Sequence, residues 1–199
     1  MKMRMNFMNN YLVVALGNPG EKYEQTRHNA GWILADLAFP DLEFSRNSYA
    51  NAGVAKTTIS NQDVQIVKPA TFMNESGVSV EYFLKKENIL PEHIIVMYDD
   101  IDLPIGKMKI SFDRGSGGHN GIKSIEAHLG SREFIRIRIG ISKLLNPPAG
   151  GGELVKPNVL GNFEPSELEI LKILAPKVKS ALETIISEGK EAAMTKFNA

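Results

Sequence analysis

The sequence predicts an α/β sandwich around a mostly parallel sheet, with one hairpin and some antiparallel pairing. Short apolar runs that are typical of buried strands alternate with segments whose apolar residues recur at helical spacing. The length of 199 residues and the apolar fraction of 43% fit one domain with a substantial core. Because sites in open sheets form where strands end in loops, functional residues are expected in the loops.

Six short segments have the composition and the boundaries of strands, with apolar or alternating residues between Gly, Pro, Asn and Asp. They are residues 11–16, 54–60, 64–68, 94–98, 107–112 and 134–141. The polar turn at residues 61–63 predicts a hairpin between the second and the third. The fifth carries lysines at alternate positions.

Helical periodicity indicates three helices and a final helical region. The helices span residues 28–39, 74–88 and about 120–129, and the final region begins near residue 166. The second helix is expected to carry Val78, Tyr82 and Phe83 on one side.

The last third of the chain contains signals for a loop and for helix ends. The Pro/Gly-rich residues 146–158 predict a flexible loop. Ser166 and Glu169 have the spacing of a capping box. Pro176 is expected to kink or divide the final helical region, and Gly189 is expected to end part of it.

The composition limits the class of protein. A formal net charge of zero indicates neither a nucleic-acid nor a membrane partner. The lack of cysteine excludes disulfides, thiolate metal sites and a cysteine nucleophile, and is compatible with a reducing cytoplasm. No apolar run approaches the roughly 20 residues that span a bilayer, and residues 1–10 lack the apolar stretch of a signal peptide. We therefore expect a cytoplasmic protein.

Basic residues are concentrated between Lys107 and Lys143, where eight basic residues accompany three acidic ones. Arg136 and Arg138 lie two apart in a strand-like run, so both are expected on the same face. The segment has two interpretations: a solvated surface with scattered charge, which this observation alone favours, or an electropositive patch for a phosphate backbone.

Several common catalytic motifs are absent. No Gly-Lys-Ser/Thr follows the Gly-Asn-Pro-Gly turn at 17–20, which excludes a P-loop. Asn120 stands where a dinucleotide fingerprint needs its third glycine, and Arg114 stands where a nucleophile elbow around Ser116 needs a glycine. The four histidines form no His-Glu-x-x-His pair, so no metal is expected.

A histidine, an aspartate and three asparagines remain in or beside loops. His28 can take a proton from water near pH 7. Asp99, directly after the 94–98 strand, is placed to fix the tautomer of that histidine and to stabilise its protonated form. Amide side chains can donate hydrogen bonds to an oxyanion, and the candidates are Asn18, Asn74 and Asn120. No serine or cysteine nucleophile is evident, so water is the expected attacker in a hydrolase.

Each of these residues also has a structural interpretation. Asn18 can be a turn residue before a proline. Asn74 and Asn120 can cap the helices that begin near them. His28 can be a surface or capping histidine, and Asp99 can form a turn with the acidic residues that follow.

Five long stretches occur in order along the chain: LGNPGEKYEQTRHNAGW, KPATFMNESGVSV, YDDIDLPIGKMKI, GSGGHNGIKSIEAHLGS and FIRIRIGI. A further stretch, VLGNFEPSE, precedes the final helices. Together they resemble bacterial-type peptidyl-tRNA hydrolases, and the resemblance extends with few gaps from about Tyr11 to the final helices.

This resemblance implies a single domain over residues 1–199, with residues 1–10 as an N-terminal extension. The implied fold is a three-layer sandwich with a twisted, mixed, mostly parallel sheet between helices. The implied reaction is hydrolysis of the ester between a peptide and the 3′-terminal ribose of tRNA, which recycles tRNA from peptidyl-tRNA. The family is usually monomeric and uses no metal or organic cofactor.

The resemblance also implies roles for single residues. His28 matches the base that activates water, and Asp99 matches the acid that orients it. Asn18 matches the residue that helps to distinguish peptidyl-tRNA from free aminoacyl-tRNA. Asn120 matches the amide that positions the water or stabilises the intermediate, whereas the neighbouring His119 has no clear role.

The remaining matches concern substrate binding. Tyr23 matches a position near the tRNA end, and the substrate-binding wall is formed by Phe72, Met73 and Asn74. Basic side chains expected at the tRNA backbone are Lys107, Lys109, Arg136 and Arg138.

Three rival functions are considered. The first is non-catalytic RNA binding, as in plastid splicing factors of the same superfamily. A protein that only binds RNA needs no catalytic base, so the presence of His28 with Asp99 and the three asparagines argues against it. The second is an esterase or amidase for small acyl substrates, against which the basic patch and the missing serine elbow weigh. The third is a nucleotide-binding α/β protein, which would need a glycine motif that is missing.

Overall fold

An eight-stranded sheet lies between two layers of helices in the computed structural model, which describes residues 11–145 and 153–198. The strands are β1 (Tyr11–Ala15), β2 (Ser45–Asn47), β3 (Ala52–Ile59), β4 (Gln62–Pro69), β5 (Ile94–Pro104), β6 (Met108–Phe112), β7 (Ile135–Leu145) and β8 (Glu153–Val155). Their order is β2-β3-β4-β1-β5-β7-β6, and β8 pairs with β7.

The four central strands, β4, β1, β5 and β7, are parallel to one another, and the outer strands pair antiparallel. Central strands are apolar on both faces because helices cover both faces, and Leu12 to Ala15 of β1 are all buried accordingly. This confirms the predicted α/β fold with a mixed, mostly parallel sheet between helices.

Two helical layers cover the sheet. One face carries α1 (Ala30–Ala38), α4 (Pro165–Glu188) and α5 (Lys190–Phe197), and the other carries α2 (Ser76–Glu87) and α3 (Asn120–Leu129). Side chains of β1 alternate between the two cores: Val13 and Ala15 belong to the first, and Leu12 and Val14 to the second.

The predicted hairpin is formed by β3 and β4. Its turn is Ser60-Asn61, with φ values of 50° and 61°, rather than residues 61–63. A two-residue turn with left-handed backbone at both positions matches the twist of the strands that it joins.

In α2 the predicted apolar side is partly wrong. Val78 is 50% exposed, whereas Val80 and Phe83 are buried. A helix turns about 100° per residue, so position 78 lies nearly opposite position 80 and faces away from the sheet.

The start of α4 differs from the prediction. The capping box joins Glu164 and Glu167, not Ser166 and Glu169. Pro165 occupies the first helical position, where its fixed φ favours the helix and its missing N–H costs nothing.

Pro176 does not divide α4, which continues to Glu188 before Gly189 ends it as predicted. Leu174, Ala175 and Val178 are buried around the proline. We infer that this packing offsets the hydrogen bond that proline cannot donate.

Strand β8 lies within the segment predicted as a flexible loop and pairs with the end of β7. Residues 146–152 of that segment, and the predicted N-terminal extension at 1–10, lie outside the described residues. Within the described ranges, no helix is long and apolar enough to cross a membrane.

The edge strand β6 is bound by the C-terminal segment. The side chain of Asn198 accepts a hydrogen bond from the Ile110 backbone N–H (2.7 Å) and donates one to the Ile110 carbonyl (2.8 Å). It thereby occupies backbone groups that a sheet edge otherwise leaves open.

Candidate active site

A pocket lies where β5 leaves the centre of the sheet. The residues that line it are His28, Tyr98, Asp99, Asp100, Ile101, Ser116, Gly118, His119, Asn120 and Val159. Asp99 is not beyond the strand, as the sequence predicted, but within β5, which continues to Pro104 with a register shift after Asp100. A shift of this kind re-aims side chains at the end of a strand.

His28 is held by Asp99. It lies in a short 3₁₀ turn, Arg27–Asn29, that leads into α1. Its Nδ1 is 2.9 Å and 3.0 Å from the two carboxylate oxygens of Asp99. An ionised carboxylate only accepts hydrogen bonds, so Nδ1 carries the proton and Nε2 keeps its lone pair. No described residue hydrogen-bonds to that Nε2.

A second histidine binds the same carboxylate. The Nε2 of His119 is 2.9 Å from Asp99 Oδ1, while its Nδ1 accepts from the Ile122 backbone N–H at 3.3 Å. His119 is therefore the N-cap of α3, and Asn120, whose amide could have capped this helix, is its exposed first residue at the pocket. With Nδ1 accepting, a neutral His119 donates from Nε2 to Asp99.

The two imidazoles keep Asp99 ionised. Burial alone would raise the pKa of this carboxyl, which is 3% exposed. The electrostatic effect and the hydrogen bond of His119, followed by the hydrogen bond and the electrostatic effect of His28, outweigh burial and hold the pKa well below its usual range. At neutral pH the site therefore contains a carboxylate that can stabilise positive charge on His28.

Tyr98 forms part of the wall beside His119. Its ring centroid lies 4.8 Å from that of His119 in an edge-on arrangement. Burial raises the pKa of Tyr98 to about 12, against the opposing effect of Arg138 and Arg136, so the phenol is neutral at physiological pH.

Asn18 is fixed in one orientation. Its Oδ1 accepts from the Met73 backbone N–H at 2.8 Å, and its own backbone N–H and C=O are both bound by the side chain of Asn29. Because Met73 N can only donate, the carbonyl end of the Asn18 amide must face it. No residue in the described ranges accepts a hydrogen bond from Nδ2, which is the remaining donor of this side chain.

A metal fits the site poorly. Within the described residues, His28, Asp99 and His119 form the one group of histidines and acids close enough to hold an ion, with ligand atoms within 4.8 Å of one another. Metal ligands must offer lone pairs, whereas the histidine nitrogens nearest Asp99 carry the protons of its hydrogen bonds. The donor set favours a hydrogen-bonded triad over a metal centre.

Comparison with known proteins identifies the family. A family model described as peptidyl-tRNA hydrolase matches residues 12–199. The chain belongs to this family. A peptidyl-tRNA hydrolase of Synechococcus elongatus is 38% identical over 191 residues, which are 94% of this chain and 92% of the relative. The crystal structure of peptidyl-tRNA hydrolase from Acinetobacter baumannii is 32% identical, with a TM-score of 0.81 and coverage of 96% of each chain.

Membership of the peptidyl-tRNA hydrolase family, in sequence and in structure, establishes the class of reaction. The chain is a carboxylic ester hydrolase that acts on peptidyl-tRNA, as the resemblance implied.

The side chains that the resemblance assigns to substrate binding lie beside Asn18. Tyr23 and Phe72 pack edge-to-face, with ring centroids 6.4 Å apart, and Phe72 is 53% exposed. Met73 is buried, and Asn74 follows it as an exposed residue of a 3₁₀ turn without a capping bond. None of these residues lines the pocket around Asp99, and we call Tyr23, Phe72 and Asn74 the rim.

The predicted basic patch is wrong for two of its four members. Arg136 is fully buried, paired with Glu126 at 3.1 Å and stacked over Phe134. Arg138 is 6% exposed and donates to Asp100 at 2.5 Å. The two arginines do share a face of β7, but that face is closed, because Glu126 of α3 binds Arg136 and Asp100 of β5 binds Arg138. The basic side chains that remain exposed on β6 and just before it are Lys109 and Lys107.

Sequence reasoning missed three supporting residues. His119 is a partner of Asp99, and Asn29 binds Asn18. Arg27 forms a buried ion pair with Glu167 at 2.6 Å. Arg27 and Asn29 flank His28 in the chain, and that adjacency was the available signal.

Proposed function

We propose that His28 is the general base of peptidyl-tRNA hydrolysis and that Asp99 orients it. The observation that carries this proposal is the double contact of Nδ1 with the buried Asp99 carboxylate, which leaves Nε2 of a pocket-lining histidine with its lone pair. Nε2 takes a proton from water while the water oxygen attacks the ester carbonyl. Asp99 holds the tautomer and stabilises the imidazolium that forms.

The second half of the reaction returns that proton. The tetrahedral intermediate collapses, the bond between the carbonyl carbon and the ribose oxygen breaks, and His28 protonates the departing ribose oxygen. The products are tRNA with a free hydroxyl and a peptide with a free carboxyl group. Asn120, at the pocket, is placed to donate its amide N–H to the oxyanion.

In this proposal Asn18 distinguishes the acylated substrate from free aminoacyl-tRNA. Its free group is the Nδ2 donor, since Met73 N occupies Oδ1. An acylated α-nitrogen brings a neighbouring carbonyl that accepts from Nδ2. A free α-ammonium has three donors and no acceptor, so it meets a donor and is disfavoured.

The tRNA is proposed to approach over the rim and the lysine-bearing strand. Tyr23, Phe72 and Asn74 would contact the terminal nucleotide and the peptide beside Asn18. Lys107 and Lys109 would meet backbone phosphates, because they lie close to the pocket. Lys109 of β6 lies opposite Arg138 of β7 in the sheet, and Arg138 binds Asp100, which lines the pocket. Peptidyl-tRNA is made on ribosomes, so we place the activity in the cytoplasm, carried out by a monomer.

The deciding experiment is release of tRNA from an N-acetyl-aminoacyl-tRNA. The wild-type protein should cleave this substrate, and His28→Ala should lose about 100- to 10,000-fold in kcat while binding tRNA with unchanged affinity, because general-base catalysis contributes a factor in that range. His93→Ala is the matched control, since His93 packs on Tyr11 and does not line the pocket. Full activity of the His28→Ala protein would contradict the proposed base.

The same assay separates the rival functions. Wild-type protein that binds tRNA without cleaving it would be a non-catalytic RNA binder. Cleavage of a small p-nitrophenyl ester as fast as the tRNA ester would indicate a general esterase. We expect neither result. The rim and the two lysines lie outside the pocket, where they would contact parts of tRNA that a small ester lacks, and the pocket itself holds the proposed base.

A further inference from the structure

The buried side chain of Asn29 makes a two-point contact with the backbone of Asn18. Its Oδ1 accepts from Asn18 N–H at 2.8 Å, and its Nδ2 donates to the Asn18 carbonyl at 3.0 Å. Asn29 is 0% exposed, and Thr26 Oγ1 lies 3.4 Å from the same Oδ1. One donor and one acceptor on a single backbone residue leave only one orientation for the Asn29 amide.

The contact with Asn29 holds the backbone of Asn18 in one position. Asn18 is held by its backbone through Asn29 and by its Oδ1 through Met73 N. If the backbone moved or the amide rotated, Oδ1 could face the substrate in place of Nδ2. An outward-facing oxygen would accept from the α-ammonium of free aminoacyl-tRNA, which is the molecule that the site has to reject.

Asn29 also links the specificity group to the base. It follows His28 directly in the Arg27–Asn29 turn. One short turn therefore presents His28 to Asp99 and holds Asn18 from the other side of the loop, 11 residues earlier in the chain. The separation between the base and the Nδ2 donor is set by that turn rather than by the loop between them.

We propose that Asn29 is a positioning residue that determines specificity, by keeping the donor of Asn18 directed at the acylated nitrogen of the substrate. The inference rests on the proposed role of Asn18. It predicts that loss of Asn29 relaxes discrimination between N-blocked and free aminoacyl-tRNA while leaving the His28–Asp99 pair unchanged.

The test compares two variants of the full chain on two substrates. Asn29→Ala removes both bonds, and Asn29→Asp keeps the acceptor but places a second oxygen against the Asn18 carbonyl. Values of kcat/KM are measured for N-acetyl-aminoacyl-tRNA and for free aminoacyl-tRNA. We expect the ratio of the two to fall at least tenfold in both variants, mainly through a higher KM for the N-acetyl substrate, with the pH dependence of kcat unchanged.

Asn198→Ala is the matched control. It removes the same kind of two-point amide contact, at 2.7 Å and 2.8 Å, from Ile110 on the edge strand β6. It should reduce stability without changing the substrate ratio. An equal loss on both substrates in the Asn29 variants, as a merely structural residue would cause, overturns the proposal.

Asn18→Ala separates the two levels of the inference. If it leaves the ratio unchanged, the proposed role of Asn18 is wrong. If it lowers the ratio while both Asn29 variants keep it, only the positioning role of Asn29 is wrong. If Asn29→Ala does not fold, Asn29→Asp alone carries the test, and an unchanged ratio in that variant overturns the proposal.

Discussion

The cluster around Asp99 and the lysine-bearing strand β6 are both polar, but they act by different physics. The cluster is buried and its contacts are directional hydrogen bonds of about 3 Å: one from His28 Nδ1, shared between the two oxygens of Asp99, and one from His119. Lys107 and Lys109 are exposed, and exposed charges act at longer range and are screened by salt. The cluster should therefore control kcat independently of salt, and the lysines should control binding and depend on it.

Asp99→Asn should give the largest effect of the variants that test this contrast. An asparagine amide can donate to His28 Nδ1, which would move the ring proton to Nε2 and remove the base. We expect kcat to fall by about 10,000-fold, the loss that the wrong tautomer of a catalytic histidine produces. Single-turnover cleavage of N-acetyl-aminoacyl-tRNA measures it.

Asp102→Asn is the control for that variant, because Asp102 is an exposed acid on the same strand, paired with Lys156. It should keep wild-type kcat. A loss in Asp99→Asn that disappears at high salt would contradict the assignment of Asp99 to the short-range cluster.

His119→Ala should have a smaller effect with two separable parts. It removes one of the hydrogen bonds to Asp99 and also the N-cap of α3. We expect roughly a tenfold fall in kcat and about 1 kcal/mol less stability to unfolding, the typical cost of a lost cap. Kinetics and urea denaturation of the same preparation measure the two parts.

His119→Asn sharpens that result, since asparagine is a good N-cap but is too short to reproduce the ring contact with Asp99. Stability should return towards wild type while kcat stays low. Recovery of both together would show that His119 affects the reaction only through α3.

Lys107→Ala and Lys109→Ala should give the smallest effects. Each should weaken tRNA binding a few-fold at low salt, with kcat unchanged, and should reduce the slope of log affinity against log salt by about one. Lys172→Ala, on α4 away from the pocket, is the control. Equal salt slopes for the lysine variants and the wild type would exclude β6 from the RNA interface.

Local motifs predicted the fold, and they named His28 and Asp99, which lie in contact in the structure, for a physical reason. The alternation of strands and helices depends on periodicities that are visible along the chain, so the order of layers followed from it. His28 and Asp99 each lie beside a recognisable strand or turn. Their contact follows from the neighbouring parallel positions of β1 and β5.

The sequence could not predict which surfaces of the strands and helices are buried by neighbouring elements. Arg136 and Arg138 alternate as predicted, but only the folded structure shows that Glu126 of α3 and Asp100 of β5 close their face of β7. The sequence assigned His119 no role, because its contacts with Asp99 and Ile122 form only when α3 packs beside β5. The capping box of α4 begins at Glu164 rather than at Ser166, because Pro165 occupies the first position of the helix.

The bond between Asn198 and Ile110 has a consequence for the making of the chain. The two residues are 88 positions apart, which takes roughly 4–18 s at 5–20 residues per second of synthesis. During that interval the open side of β6 has no C-terminal segment to occupy it. Lysines at and beside an unpaired strand discourage its pairing with other chains. Lys107 and Lys109 would thus discourage such pairing in the nascent chain, in addition to their proposed role in binding tRNA.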